Sequence, residues 1–170
     1  RALDLFGEAK RAAERVLGAD LAERYRDRFG ENAATRSYLR AVVGTASALH
    51  RLGRREEAAT GFLDALALDD HDPEGVRFTA LALLLETGDD ARAGKLLQRD
   101  SKPDGGEWAY GFALWCGRTA PAADARTALT SAIDAHPSVA AYLCEEIDAL
   151  DDLAAWRHGH ADADGKLDAD

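Results

Sequence analysis

The sequence predicts an all-α protein built from antiparallel helical hairpins that stack as a short solenoid. Three observations support this fold class. Alanine dominates the 170 residues while β-branched residues are sparse, and no stretch alternates apolar with polar residues as a half-buried strand would. Gly and Pro cut the chain into segments of about 11 to 17 residues, an ordinary helix length. Each segment also carries apolar residues at helical spacing and therefore has a face to bury.

The segments divide the chain into three regions. Residues 1–34 are predicted to form N-terminal helices, residues 35–137 about three helical hairpins, and residues 138–170 a capping helix and an acidic tail. A cap is physically required, because the last hairpin of a stack would otherwise expose its apolar face. The helices predicted outside the hairpins are Ala2–Leu17, Asp20–Phe29 and a helix from Ser138 to about Leu153.

The central region contains the most apolar segment. From Val76 to Leu85 the residues are apolar on most sides of a helix, which predicts a central helix with neighbours on both faces. The next clear pair, Glu107–Trp115 and Ala122–Ala135, is predicted to form a hairpin through a turn from Gly117 to Pro121.

An internal period links the hairpins. Gly53 and Gly88 are 35 residues apart, and so are Ala58 and Ala93, whereas Ala125 follows Ala93 by 32. The glycine is expected to take the positive φ of a helix end, and the small alanine to let two helices cross closely. These steps bracket the 34-residue length of a tetratricopeptide repeat.

The motifs strengthen this resemblance. The turn Leu52–Ala58, the core residues Phe62 and Ala65 that follow it, and the closing Pro137 resemble the tetratricopeptide repeat. More narrowly, the chain resembles bacterial repeat proteins of the suppression-of-tumorigenicity type, at the segments Arg36–Ala41, Asp72–Phe78, Glu107–Tyr110 and His136–Leu143. One repeat subclass clamps a C-terminal carboxylate with Lys and Asn. Val43 and Ser47 stand at those positions here, so carboxylate clamping is not expected.

The resemblance implies a non-catalytic scaffold that binds a protein or peptide segment in a concave groove lined by the first helix of each hairpin. Phe78 and Tyr110 are the expected anchors, and Arg40 is expected to pair with an acidic residue of the partner. An alternative is that the aromatic residues fill the core between hairpins. The groove residues predicted in this way are Arg40, Val43, Ser47, His50, Phe78, Ala82, Leu85, Tyr110 and Leu114.

The charge balance limits the classes of partner. A net charge of −10 argues against nucleic acid and against an anionic membrane surface, and no apolar run is long enough to span a bilayer. Most of the excess lies in residues 145–170, which carry nine acidic and two basic residues, so the repeat core is nearly neutral. The two cysteines, Cys116 and Cys144, stand in no paired motif, which favours reduced thiols and a cytoplasmic location.

No catalytic motif is present, and neither an enzyme activity nor a cofactor is expected. An enzyme remains possible if a pocket gathers Arg24, Tyr25, Arg36 and His50. The tail from His158 to Gly165 resembles half a calcium loop, but the chain lacks the final glutamate, so no metal site is predicted.

Two further possibilities concern the C-terminal region. The chain is alternatively a structural or regulatory subunit whose acidic tail responds to a metal or to a partner. A homodimer through the C-terminal end is also possible if the apolar residues of the capping helix are not fully covered. Those residues are Val139, Tyr142, Leu143, Ile147 and Leu150.

Overall fold

The computed structural model describes residues 1–18, 20–99 and 105–144, and all regular structure in these ranges is helical. The predicted all-α class is confirmed for this part of the chain. None of its helices is both long enough and apolar enough to cross a lipid bilayer. The helices are α1 (Ala2–Leu17), α2 (Leu21–Arg24), α3 (Ala33–Arg51), α4 (Arg55–Leu68), α5 (Arg77–Glu86), α6 (Asp90–Arg99), α7 (Gly106–Thr119), α8 (Ala122–Ala135) and α9 (Pro137–Leu143).

Helices that follow one another in the chain are generally also neighbours in space. Helix α3 contacts α1 and α4, α4 contacts α5, α5 contacts α6, and α7 contacts α8. Helix α5 also contacts α7, which makes it a central helix as predicted. One hydrophobic core extends from Leu17 at the end of α1 to Trp108 in α7. The core thins beyond α7, because Ala132 is the only buried residue of α8 and α9 has none.

The turns between helices follow the local chemistry of the sequence. Asn32 caps α3, since its side-chain oxygen accepts hydrogen bonds from the amides of Ala34 and Thr35 at 3.1 and 3.0 Å. Gly53 and Gly88, which end the turns after α3 and α5, both have φ of +75°. The positive φ predicted for Gly53 is confirmed, and it explains why a residue without a Cβ stands there.

Small residues allow the helices to approach closely. Ala58 and Ala93 are completely buried, as their proposed role at helix crossings requires. Gly61 of α4 faces Ala46 of α3, and a Cβ at Gly61 would lie only 2.9 Å from the Cβ of Ala46. Helices α3 and α4 can therefore approach closely at this point, because Gly61 and Ala46 leave space that larger side chains would fill.

The N-terminal region departs from its predicted helix Asp20–Phe29. Helix α2 covers only Leu21–Arg24, and turns follow it. The reason is tertiary, because Asp27 adopts φ of +58° and donates its amide to the carbonyl of Leu68 at 2.9 Å. A helix continued to residue 29 could not make this bond to the end of α4.

The C-terminal helices agree with the sequence at most boundaries. Helix α8 has the predicted limits, and α9 begins at Pro137, a residue suited to the first helical turn. The turn predicted to begin at Gly117 is wrong, since α7 continues to Thr119. Residues beyond Cys144 of the predicted capping helix lie outside the described part of the chain, as does the acidic tail.

Candidate functional site

A large open groove lies between helices α5 and α7 and has a volume of about 1200 Å³. Helix α5 lines it with Phe78, Ala82 and Leu85, one turn or less apart along the helix. Helix α7 contributes Tyr110 and Leu114. The lining from these two helices is predominantly apolar, which is typical of a surface that receives apolar groups.

The second wall of the groove comes from α8 and α9. Helix α8 contributes Ala125 and Leu129, and α9 contributes Leu143. The side chains of Leu129 and Leu143 are exposed, at 46 % and 68 %, and Leu114 opposite them is 48 % exposed. Three leucines from three different helices therefore present apolar surface to one groove.

The groove floor is formed by a close approach of α5 and α7. Gly111 of α7 faces Leu81 of α5, and a Cβ at Gly111 would lie 2.8 Å from the Leu81 Cδ2 atom. Leu81 is buried, so it has little room to yield. The absence of a side chain at residue 111 is what lets the two groove helices meet.

Two contacts hold the aromatic groups at one end of the groove. The Phe78 ring meets Trp108 edge to face, with ring centroids 6.0 Å apart. The hydroxyl of Tyr110 donates a hydrogen bond to the carbonyl of His136 at 3.1 Å. Helix α7 is thereby tied both to α5 and to the turn that precedes α9.

Charged side chains lie at the two ends of the groove. Arg118 is anchored, because its guanidinium donates to the carbonyl of Leu85 at 2.7 Å and to Asp90 at 3.2 Å. Arg126 lies at the same end, since a short turn joins α7 to α8 there, and Glu86 at the end of α5 is neutralised by Arg55 at 2.6 Å. Glu107 lies in the first turn of α7, at the opposite end. Within the described residues, neither Arg126 nor Glu107 has an ion-pair partner.

Five of the nine groove residues predicted from the sequence line this one groove. They are Phe78, Ala82, Leu85, Tyr110 and Leu114. The alternative prediction, that the aromatics fill the core, holds in part for Phe78, which is half-buried against the hydrophobic core while also lining the groove.

The four residues predicted on α3, Arg40, Val43, Ser47 and His50, do not line this groove. Val43 is half-buried against the hydrophobic core, and Ser47 lines a crevice between α1 and α3. Phe6 of α1 lies over Gly44, so α1 covers this side of α3. Arg40 is exposed, and its guanidinium already pairs with Glu74 at 3.1 Å. The N-terminal helix thus occupies the face on which a groove was expected.

The other titratable groups are engaged separately. Arg24 pairs with Asp20 at 2.7 Å, and Arg36 donates to the carbonyl of Gly30, so two of the four supposed pocket residues have local partners. Burial raises the pKa of the Cys116 thiol. Within the described ranges, no group of three His, Cys, Asp or Glu residues is arranged to hold a metal. The tail from His158 to Gly165 lies outside those ranges.

The sequence prediction missed several residues of the groove. Three of them lie on helices for which the sequence predicted another role. Arg126 and Leu129 belong to α8, the expected hairpin partner of α7, and Leu143 belongs to α9, the expected cap. The apolar spacing of Leu129 was visible in the sequence, but its exposure was not. Gly111 was a further signal, since a glycine inside an apolar helix often marks a close approach.

No protein-family model matches this chain, and comparisons with curated proteins and with solved structures likewise find no match.

Proposed function

We propose that this protein is a non-catalytic interaction module whose groove binds an amphipathic helical segment of a partner protein. The observation that carries the proposal is the exposure of Leu114, Leu129 and Leu143 toward a single open groove. Apolar side chains that converge from three helices are suited to the apolar stripe of a helix, as in other helix-in-groove complexes. The volume of about 1200 Å³ exceeds that of most small-molecule pockets.

The repeat architecture inferred from the sequence is part of the same proposal. Helices α3 and α4, α5 and α6, and α7 and α8 are the three hairpins of a tetratricopeptide-type stack. The support is the pair of glycine turns at Gly53 and Gly88, which share one φ value and lie 35 residues apart. In such a stack the first helices of successive hairpins are adjacent, and α5 and α7 are in contact, whereas α3 packs mainly on α1 and α4.

The charges at the groove ends define the chemistry of the partner segment. An acidic residue at one end of its apolar stripe would face Arg126, and a basic residue at the other end would face Glu107. The two groups lie at opposite ends of α7 and its hairpin partner, so they set the direction in which the segment binds rather than its affinity.

The same arrangement supports the non-catalytic part of the proposal. A side-chain nucleophile needs an adjacent base to activate it, and a general acid or base needs a free proton-transfer atom that faces the substrate. Glu107 and Arg126 stand at opposite ends, and the Tyr110 hydroxyl is bonded to a backbone carbonyl. The polar groups of the groove therefore suit orientation of a ligand better than chemistry on it.

The test uses a designed amphipathic peptide of about four helical turns, with a leucine stripe, a glutamate at its N-terminal end and an arginine at its C-terminal end. Fluorescence anisotropy measures its binding to the full chain. Leu114→Asp and Leu129→Asp should each weaken binding at least about tenfold, because each places a charge on the apolar lining.

The chain offers a matched control on each helix. Phe112 of α7 is 41 % exposed and Ile133 of α8 is 38 % exposed, and neither lines the groove. Phe112→Asp and Ile133→Asp should leave the affinity within about twofold. Equal losses in groove and control variants, or no binding of the peptide above that of its scrambled sequence, would overturn the proposal.

A further inference from the structure

The described part of the chain ends at the groove. Helix α9 stops at Leu143, whose exposed side chain forms part of the groove wall, and Cys144 lies in a turn. The sequence continues for 26 residues beyond Cys144. Because the chain passes the rim of the groove at Leu143, the residues that follow need only a short linker to reach the groove.

The sequence that follows has the pattern expected of a groove ligand. In helical register, Ile147, Leu150 and Ala154 fall on one face, with Glu146 at its beginning and Arg157 at its end. The other acidic residues between Glu145 and Asp152 lie mainly away from that face. This segment therefore carries an apolar stripe that has an acidic group at one end and a basic group at the other.

The groove has the complementary pattern of charges. Arg126 lies at the end near Arg118, and Glu107 lies at the far end of α7. A segment that runs antiparallel to α7 would bring each charge of the segment to an opposite charge of the groove.

We propose that residues 146–157 of this chain occupy the groove in cis and compete with the partner segment for it. The inference rests on the proposed function, because the same apolar lining serves both ligands. The short connection through Cys144 gives the cis segment a high effective concentration, so that a partner binds only when its stripe fits better. The C-terminal segment thereby sets the affinity that a partner segment needs in order to displace it from the groove.

The experiment uses the full chain and two variants of equal charge. Ile147→Asp combined with Leu150→Asp disrupts the stripe, whereas Ala149→Asp combined with Ala155→Asp adds the same charge on the other faces. Hydrogen exchange of α7 and anisotropy with the designed peptide are measured for each. The stripe variant should expose α7 amides to faster exchange and bind the peptide about tenfold more tightly, and the control should resemble the parent chain.

The outcomes separate this inference from the proposed function. Equal exchange and equal peptide affinity in all three proteins, with binding still lost in Leu114→Asp, would overturn the cis contact and leave the groove's function intact. Faster α7 exchange in the stripe variant without any peptide binding would support the cis contact and overturn the partner-binding function. A concentration-dependent dimer that the stripe variant abolishes would overturn the cis contact in favour of exchange between two copies.

A charge reversal provides a second test that does not depend on the apolar substitutions. Arg126→Glu should loosen the segment and increase α7 exchange, and the added change Glu146→Arg should restore the parent rate. Failure of the second change to restore exchange would refute the proposed direction of the segment.

Discussion

Substitution of Gly111 by alanine tests the close approach on which the groove floor depends. Alanine is normally favoured over glycine inside a helix by about 0.5–1 kcal/mol. At this position, however, the new methyl group would lie 2.8 Å from Leu81 Cδ2 and 3.6 Å from Leu85 Cδ1. Both leucines are buried, so relief requires Leu81 to repack in a filled core or α5 to shift against α7.

The expected magnitude follows from a comparison within the same helix. A Cβ at Gly117 would meet no atom within 4 Å, so Gly117→Ala retains the helical gain without a clash. Overpacking of a filled core costs about 1–3 kcal/mol. The intrinsic preference of a helix for alanine over glycine is similar in the two variants and cancels in the comparison. Gly111→Ala should therefore have a free energy of unfolding about 1–3 kcal/mol lower than Gly117→Ala.

Urea denaturation followed by circular dichroism measures both free energies. Leu81→Ala supplies a further check, because removing the crowded side chain should make Gly111→Ala much less harmful in that background than in the parent chain. Equal stabilities for the two alanine variants, with no coupling between residues 81 and 111, would refute the described contact of α5 with α7.

Three further predictions concern other parts of the molecule. Thr35→Val should lower the free energy of unfolding by about 1–2 kcal/mol in urea titrations, because it removes a buried hydroxyl that donates to the carbonyl of Phe29 at 2.9 Å. The pKa of Asp89 is held below its usual 3.8, chiefly by a hydrogen bond from a backbone amide in α6, so its stabilising contribution is present above pH 4 and lost as the pH falls below it; Asp89→Asn should flatten that part of the stability–pH curve. Cys144 should react with a thiol reagent at pH 8 in the folded protein, whereas Cys116, buried and with a raised pKa, should react only on unfolding, as mass spectrometry of the modified chain can show.

The sequence determines local structure well where local signals agree. The limits of α1 and α8 follow directly from apolar spacing and from the flanking Gly18 and Pro121. The positive φ of Gly53 follows from the need to end one helix and begin another within a few residues. These features depend on backbone propensities that act within a few residues, and a single chain suffices to predict them.

Local sequence patterns predict only part of the candidate site. The residues that line the groove from α5 and α7 were predictable, because their faces repeat at helical spacing. Two further features of the site depend on contacts between distant parts of the chain. Helix α1 packs over Gly44 of α3, and the thin core beyond α7 leaves Leu129 and Leu143 exposed. An apolar stripe shows that a helix has a face to bury but not which neighbour buries it.

The sequence by itself therefore determined the helical class, most helix boundaries and the apolar faces of this protein. Only the tertiary structure decided where the predicted helix after Asp20 ends, which side of α3 is covered, and which apolar faces are left to form a groove. The physical reason is the range of the interactions involved. Helix propensity and turn chemistry act between near neighbours in the chain, whereas the bond from Asp27 to Leu68 and the contact of Gly111 with Leu81 join residues far apart in it.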